Sequence, residues 1–251
     1  MHRIIGFIAA IGFMIGTVSP VFAEGISPAQ KIEFEKLVHD YLLEHPEILR
    51  DMSNKLEAND KLAADTARNT TLTTQAKAIF HNPIDAVVGN PKGDVTIVEF
   101  MDYNCGWCKK SVTEMQALVA KDKNVRVVMK EFPIFGEGSE YAARAALASV
   151  KQGKYWEFHQ AMFASEGKIT VEVVDQIAKE QGLDVAKMKI DMKAADIDAA
   201  IKKNQAMAQS LALTGTPAFI VDDKLIPGYT ELANLQAMLA TTRANGGCKV
   251  C

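Results

Sequence analysis

The chain has 251 residues and a formal net charge of −3, from 28 Lys and Arg residues against 31 Asp and Glu residues. No basic stripe stands out, so the charge pattern excludes the electrostatic footprint of a nucleic-acid-binding protein. The length suits one substantial domain with an appendage. The four cysteines, at 105, 108, 248 and 251, are too few for a disulfide-stapled scaffold and indicate dedicated thiol chemistry.

Residues 1–23 have the pattern of a secretory signal peptide. A short basic start precedes an apolar run from Ile4 to Val18, and small residues at Val21 and Ala23 suit a cleavage site. The alternative is a membrane anchor, but the apolar run is shorter than the ~20 residues that a span needs. We therefore expect cleavage after Ala23, export to the periplasm and a soluble mature protein.

Residues 24–81 are predicted to form a helical arm. Ser27-Pro28 is a typical helix start, and an apolar stripe follows it. His45-Pro46 interrupts the helix because the residue before a proline disfavours helical geometry. The second helical segment is polar and cannot form a core alone, so it either lies across the domain or meets copies of itself. The heptad signal is weak, and a flexible extension on a monomer is the alternative.

The second domain is predicted to span 82–251, and the turn-rich segment 81–94 precedes its first long β-run. Its first strand opens the stretch VTIVEFMDYNCGWCKK (95–110), in which a C-x-x-C pair stands between a strand and a helix. The helix N-terminus favours a thiolate at Cys105, which we predict to be the nucleophile. Cys108 lies on the same helix face and is the predicted resolving thiol. A structural disulfide and half of a zinc site are the alternatives.

Glu99 stands inside the apolar strand, six residues before Cys105. A lone buried carboxylate is costly unless it is paired or protonated, so we expect a raised pKa and proton exchange with the resolving thiol. Alternatively, Glu99 points outward or pairs with Lys130 on the adjacent strand.

The remaining elements predict an α/β fold. A second strand at 125–132 completes a strand–helix–strand unit. Residues 135–193 contain only helical patterns and are interpreted as an inserted helical subdomain. A strand at 216–221, a tight turn, a return strand and a closing helix follow.

Residues 95–110 and TGTPAFIVDDKLIPGY (214–229) together resemble the thioredoxin-fold, DsbA-like thiol–disulfide oxidoreductases of bacterial envelopes, most closely the ScsC (suppressor of copper sensitivity C) group. The resemblance implies a thioredoxin fold with a helical insertion and an N-terminal helical extension. It implies a cis-proline at Pro217 beside the cysteines, with the main chain of Thr216 binding substrate as an added strand. It also supports the proton-transfer role of Glu99 and a trimer formed through residues 27–81.

The resemblance implies a periplasmic disulfide isomerase or reductase acting on unfolded or misoxidised proteins, because threonine at 216 matches the isomerase and ScsC-like pattern. A membrane reductase of the DsbD or ScsB type would keep Cys105 and Cys108 reduced, and no cofactor is expected. Two alternatives remain: a DsbA-like dithiol oxidase recharged by a quinone-linked partner, and a copper-binding or copper-tolerance protein that uses its cysteine pairs.

Cys248 and Cys251 form a second C-x-x-C in the glycine-containing tail. No strand–helix frame supports this pair. It is interpreted as a local disulfide, a second redox pair or a soft-ligand pair for Cu(I). The five histidines show no metal-ligand spacing, and no metal site is predicted among them.

Overall fold

The structure is a computed structural model that describes residues 27–251. The predicted signal peptide, residues 1–23, lies outside the described residues. The chain divides into two compact units between Ala58 and Asn59. In chain order the elements are α1 (Pro28–Glu44), α2 (Glu47–Thr74), α3 (Ala76–Phe80), β1 (Ala86–Gly89), β2 (Val95–Met101), α4 (Gly106–Lys121), β3 (Val125–Glu131), α5 (Glu137–Val150), α6 (Tyr155–Ala164), α7 (Val171–Glu180), α8 (Val185–Asp191), α9 (Ala195–Ser210), β4 (Ala218–Val221), β5 (Lys224–Pro227) and α10 (Leu232–Ala244).

The first unit consists of α1 and the beginning of α2. A capping box starts α1: the Ser27 hydroxyl accepts from the Gln30 backbone N–H at 3.3 Å, and the Gln30 side chain accepts from the Ser27 N–H at 2.9 Å. No residue of α1 is buried within the chain. Most large apolar side chains between residues 27 and 58 are exposed: Ile32, Phe34, Leu37, Val38, Tyr41, Leu43, Leu49, Met52 and Leu56.

The second unit is built on a five-stranded sheet in the order β1-β3-β2-β4-β5. β2 and β3 are parallel and are joined through α4, as predicted, whereas the other neighbouring strands pair antiparallel. Every residue of β2 is buried, as expected for a central strand covered on both faces. The predicted α/β thioredoxin fold with a helical insertion is therefore confirmed, and α5 to α8 lie between β3 and α9.

The alternation of β2 divides the core between the two faces of the sheet. Ile97 and Met101 join the apolar cluster that contains α4 and the inserted helices. Val98 and Phe100 join the opposite cluster with Phe80 of α3 and with α9. The same alternation determines which of the two clusters each polar side chain of β2 and β3 faces.

The structure differs from the sequence interpretation in two places. The segment 81–94 contains β1, which pairs with β3 from Ala86 opposite Met129 to Gly89 opposite Arg126. The arm was expected to extend to residue 81, but Leu72, Ile79 and Phe80 are buried in the core of the second unit. The surrounding sequence is polar and contains few other apolar residues, so the sequence pattern did not indicate that these three side chains are buried. Among residues 27–251, no helix is both long enough and apolar enough to cross a membrane.

Candidate active site

The Cys105 sulfur lies at the N-terminus of α4. Cys105 is the N-cap residue, and its Sγ accepts a hydrogen bond from the backbone N–H of Cys108 at 3.4 Å. The Cys105 thiol donates to the carbonyl oxygen of Thr216 at 3.1 Å. Both cysteines are unpaired thiols, and Cys105 is 5% exposed. The predicted combination of a strand end, a helix start and a neighbouring thiol is present.

Asp102 holds the loop that carries Cys105 in place. Its Oδ2 accepts from the backbone N–H of Ile134 at 2.6 Å and of Phe135 at 3.1 Å, and its Oδ1 accepts from the Ser139 hydroxyl at 2.7 Å. The Asn104 amide binds both the N–H and the carbonyl of Ile169. The loop is thereby tied to the inserted helical region. No local sequence pattern indicates a positioning role for these two residues, because their partners are distant in the chain.

The surroundings of Cys105 stabilise its thiolate. They lower the pKa of Cys105 to about 6. The hydrogen bond from the Cys108 thiol contributes most, and the Thr216 side chain and the N–H groups at the helix start lower the pKa further. Burial acts in the opposite direction and raises it. The Thr216 Oγ1 is buried and has no hydrogen-bond partner among the described residues, so it is free to donate to a Cys105 thiolate. A pKa of about 6 favours the thiolate form of Cys105 at neutral pH.

Cys108 and Glu99 lie deeper beneath the same helix. Burial raises the pKa of Cys108, and the adjacent Cys105 and the charge of Glu99 raise it further. Burial also raises the pKa of Glu99 to about 7, against the stabilising hydrogen bond that the Ser111 hydroxyl donates to it at 2.8 Å. The pKa values of the two cysteines are therefore shifted in opposite directions, and the neighbouring Glu99 carboxyl has a pKa near neutral pH.

The structure contradicts the alternative in which Glu99 pairs with Lys130. Glu99 is opposite Met129 in the β2–β3 register, so Lys130 projects to the other face of the sheet. There its Nζ forms a buried ion pair with Asp85 and donates to the Ala78 carbonyl at 2.8 Å. Glu99 is 2% exposed and does not point outward.

The Thr216 carbonyl lies beside the Cys105 sulfur, and Pro217 follows it in the chain. The peptide bond between them is cis, and Pro217 leads directly into β4. The Pro217 carbonyl accepts from the N–H of Gly228 at 2.9 Å. The fold therefore brings Glu99, Cys105, Cys108, Thr216 and Pro217 to one end of the sheet.

A buried network centred on Glu131 was not predicted. The Glu131 carboxyl accepts from the hydroxyls of Tyr155 at 2.9 Å and Tyr103 at 3.2 Å, and Tyr103 Oη lies 3.0 Å from His159 Nδ1. Burial raises the pKa of Glu131 and lowers that of His159 to about 3. Burial therefore disfavours the charged form of both groups, and the network fixes Tyr103 two residues before Cys105. The sequence feature that could have indicated this network is an acidic residue within an apolar strand. The same feature identified Glu99 as a candidate site residue.

Two exposed surfaces flank Cys105. On one side the indole of Trp107 lies 5.5 Å from the ring of Tyr229, and Lys110 Nζ is 4.4 Å from the centre of that ring. On the other side is an open groove of about 470 Å³, lined by Tyr103, Asn104, Cys105, Gly106, Lys109, Phe135, Gly167 and Lys168. Its lining combines two aromatic side chains with two lysines.

Cys248 and Cys251 are joined in a disulfide, which is the first of the three interpretations left open. The tail packs beside Asp222, in the turn that follows β4. β4 runs antiparallel to β2, with Ala218 opposite Phe100 and Val221 opposite Ile97. Asp222 is therefore at the other end of the sheet, about 16 Å along β4 from Pro217 at the usual rise per residue. The structure does not bring the second cysteine pair to the first.

Residues 96–240 match the family model described as DSBA-like thioredoxin domain. Residues 30–63 match the model described as Copper resistance protein ScsC N-terminal domain.

Among solved structures, the chain is similar to a thioredoxin-like oxidoreductase from Silicibacter pomeroyi, with 47% identity, a TM-score of 0.66 and coverage of 67% of this chain and 97% of the other. It is also similar to the thiol-disulfide exchange protein alpha-DsbA2 from Wolbachia pipientis, with 28% identity, a TM-score of 0.65 and coverage of 70% and 95%. Among curated proteins, it is 26% identical to the Na(+)/H(+) antiporter NhaA of Herminiimonas arsenicoxydans over 176 residues, which is 68% of this chain but 28% of that protein. The chain thus spans about a quarter of the length of such curated relatives.

Proposed function

The chain belongs to the DSBA-like thioredoxin domain family, and on this premise we propose that it is a thiol–disulfide oxidoreductase with Cys105 as nucleophile. One observation carries the proposal. The pKa of Cys105 is lowered to about 6 at a helix start, while that of the adjacent Cys108 is raised. This difference assigns the first attack to Cys105, because the thiolate is the reactive form of cysteine.

In the first step the Cys105 thiolate attacks a sulfur of a substrate disulfide. A bond forms between Cys105 Sγ and that sulfur, and the other substrate sulfur leaves as a thiolate. The substrate main chain binds beside Thr216 as an added strand, in the manner of β-augmentation. The open groove next to Cys105 accepts the flanking segment of the client.

Two routes resolve the mixed disulfide. In reduction, Cys108 transfers its proton to ionised Glu99 and attacks Cys105 Sγ, which releases the second substrate thiol and oxidises the cysteine pair. In isomerisation, a thiol of the substrate attacks its own mixed-disulfide sulfur, so Cys105 leaves as a thiolate with no net electron transfer. The pKa of Glu99, about 7, suits exchange in both directions near neutral pH.

We favour isomerase or reductase action over dithiol oxidation. A strong oxidase stabilises its reduced form through a thiolate whose pKa is about 3.5. The Cys105 thiolate is stabilised less, and the sequence between the cysteines is Gly-Trp, without a histidine. We therefore expect a reduction potential below the about −120 mV of the strong oxidase.

The setting of this activity is also proposed. The signal-peptide pattern of residues 1–23 supports export to the periplasm, and a membrane reductase of the DsbD or ScsB type would keep the pair reduced. The exposed apolar side chains of α1 support association with further copies of the chain, as a trimer. Several sites around one client would favour shuffling of its disulfides.

Refolding of scrambled ribonuclease tests the proposal. The reduced full chain should restore ribonuclease activity, and Cys105→Ser should not. Insulin reduction by a dithiol should also accelerate with the wild type. Rapid oxidation of reduced ribonuclease without shuffling of the scrambled form would favour the oxidase alternative.

A further inference from the structure

The C-terminal tail brings three metal-ligating side chains together at the end of the sheet remote from Cys105. Asp222, Cys248 and Cys251 each offer one ligand atom, and these atoms all lie within 4.8 Å of one another. Asp222 is 7% exposed. The catalytic mechanism proposed above uses none of the three, so this cluster is independent of it.

The tail is held in this position by hydrogen bonds to two other segments. Asp222 Oδ1 accepts from the backbone N–H of Lys249 at 2.7 Å and of Val250 at 3.1 Å. His81 Nε2 donates to the Cys251 carbonyl at 3.1 Å. Within the tail, the Cys251 N–H points at Cys248 Sγ at 3.3 Å. These contacts keep both sulfurs beside the carboxylate.

Reduction of the disulfide would leave two thiols beside the Asp222 carboxylate. Cys248 Sγ lies 3.4 Å from Asp222 Oδ1, and the three ligand atoms lie within 4.8 Å of one another. This spacing lets a single cation contact all three groups once the sulfur–sulfur bond is broken.

We propose that reduced Cys248 and Cys251, together with Asp222, bind a divalent cation of the zinc class. Two thiolates and one carboxylate oxygen are a donor set that Zn²⁺ accepts, with a fourth position left for water. Cu(I) prefers soft sulfur ligands and binds carboxylates weakly. The contribution of Asp222 therefore distinguishes the two metals.

Metal binding at this site depends on whether Cys248 and Cys251 are reduced or joined in a disulfide. An external dithiol reduces the Cys248–Cys251 disulfide, giving two thiols here and a disulfide in the reductant. Metal binding then displaces the two thiol protons, and oxidation reverses it because disulfide sulfurs are no longer thiolate ligands. Cys105 and Cys108 of the same chain are too far along β4 to serve as the reductant.

The test uses the full chain carrying Cys105→Ser and Cys108→Ser, so that only the tail pair can respond. The protein is reduced with a dithiol, desalted without oxygen and titrated with Co²⁺ and then Zn²⁺. We expect one Co²⁺ per chain, with thiolate-to-cobalt charge-transfer absorption that Zn²⁺ abolishes. The same protein with its disulfide intact is the folded control and should bind neither metal.

Substitutions then identify the ligands. Cys248→Ser with Cys251→Ser should abolish binding. Asp222→Asn keeps an oxygen for the two tail N–H groups but should weaken Zn²⁺ binding at least about tenfold, since outer ligand partners alone contribute that much. Asp223→Asn, at the neighbouring residue paired with Lys224, is the matched control and should change nothing. Absence of Co²⁺ binding by the reduced protein, equal binding by the oxidised protein, or full Zn²⁺ affinity in Asp222→Asn would each overturn the proposal.

Discussion

The thiol of Cys105 donates a hydrogen bond to the main-chain carbonyl oxygen of Thr216, with 3.1 Å between Sγ and the oxygen. The bond exists only while the thiol is protonated, because a thiolate has no proton to donate. Ionisation of Cys105 therefore removes this hydrogen bond to the Thr216 carbonyl. In the proposed mechanism the carbonyl is then available to the main chain of the client.

Removing the thiol of Cys108 should raise the pKa of Cys105. The hydrogen bond from Cys108 is the largest contribution that lowers this pKa. We expect Cys108→Ala to move the midpoint of Cys105 alkylation from about 6 towards its ordinary value, measured as alkylation rate against pH. Cys248→Ala with Cys251→Ala, at the other end of the sheet, is the control and should leave the midpoint in place. An unchanged midpoint in Cys108→Ala would show that the thiol does not stabilise the thiolate.

Replacing Glu99 should slow resolution of the mixed disulfide while leaving its formation nearly unchanged. Glu99→Gln keeps an acceptor for the Ser111 hydroxyl but cannot take the Cys108 proton. We expect a 10²- to 10⁴-fold slower second step, the usual range for a lost general base, and loss of the pH dependence near 7. Rapid quenching and mass spectrometry of the mixed disulfide measure this step.

Glu114→Gln is the matched control, because Glu114 is a partly exposed carboxylate on α4 that binds the Tyr229 hydroxyl. It should resolve the mixed disulfide at the wild-type rate. Equal effects of the two substitutions would assign Glu99 a structural role only.

The stability of the reduced protein should depend on pH through Cys105. Its folded-state pKa, about 6, is below its ordinary value of 9.0. Between these values the unfolded chain binds more protons than the folded one, so stability rises with pH in this window. The slope from one proton is at most about 1.4 kcal/mol per pH unit. Glu99 acts oppositely, because its raised pKa makes stability fall from pH 4.5 to about 7.

Urea unfolding of the wild type and of Cys105→Ser, at pH values from 7 to 9, isolates the cysteine contribution. The difference in unfolding free energy between the two proteins should grow in favour of the wild type as the pH rises. A difference that stays constant across this range would mean that folding does not stabilise the thiolate.

The exposed apolar face of α1 should mediate self-association. Phe34 and Leu37 are 60% and 64% exposed within one chain, so their replacement removes little packing within one chain. We expect Phe34→Glu with Leu37→Glu to reduce the mass in solution to that of a monomer, measured by light scattering, without lowering the thermal stability. Glu33→Gln with Glu35→Gln on the same helix is the control. A wild type that is already monomeric would contradict the proposed trimer.

The sequence was sufficient for the elements that carry local patterns. The β-branched run before Cys105 predicted β2, and the C-x-x-C spacing predicted the start of α4. The orientation of Glu99 required the β2–β3 register, since only that places Lys130 on the other face. The short strand β1 was missed because its four residues lie between turn signals. The network of Glu131 with Tyr103 and Tyr155 joins residues more than twenty positions apart, and no local pattern reports such a contact.

The most direct test of the proposed chemistry is a pH titration of Cys105 in the reduced full chain. The ultraviolet absorbance of the thiolate is followed and compared with that of Cys105→Ser. The wild type should show a thiolate that forms with a midpoint near pH 6, and the variant should lack it. A midpoint near 9, the ordinary value for a cysteine thiol, would contradict the assignment of Cys105 as the activated nucleophile.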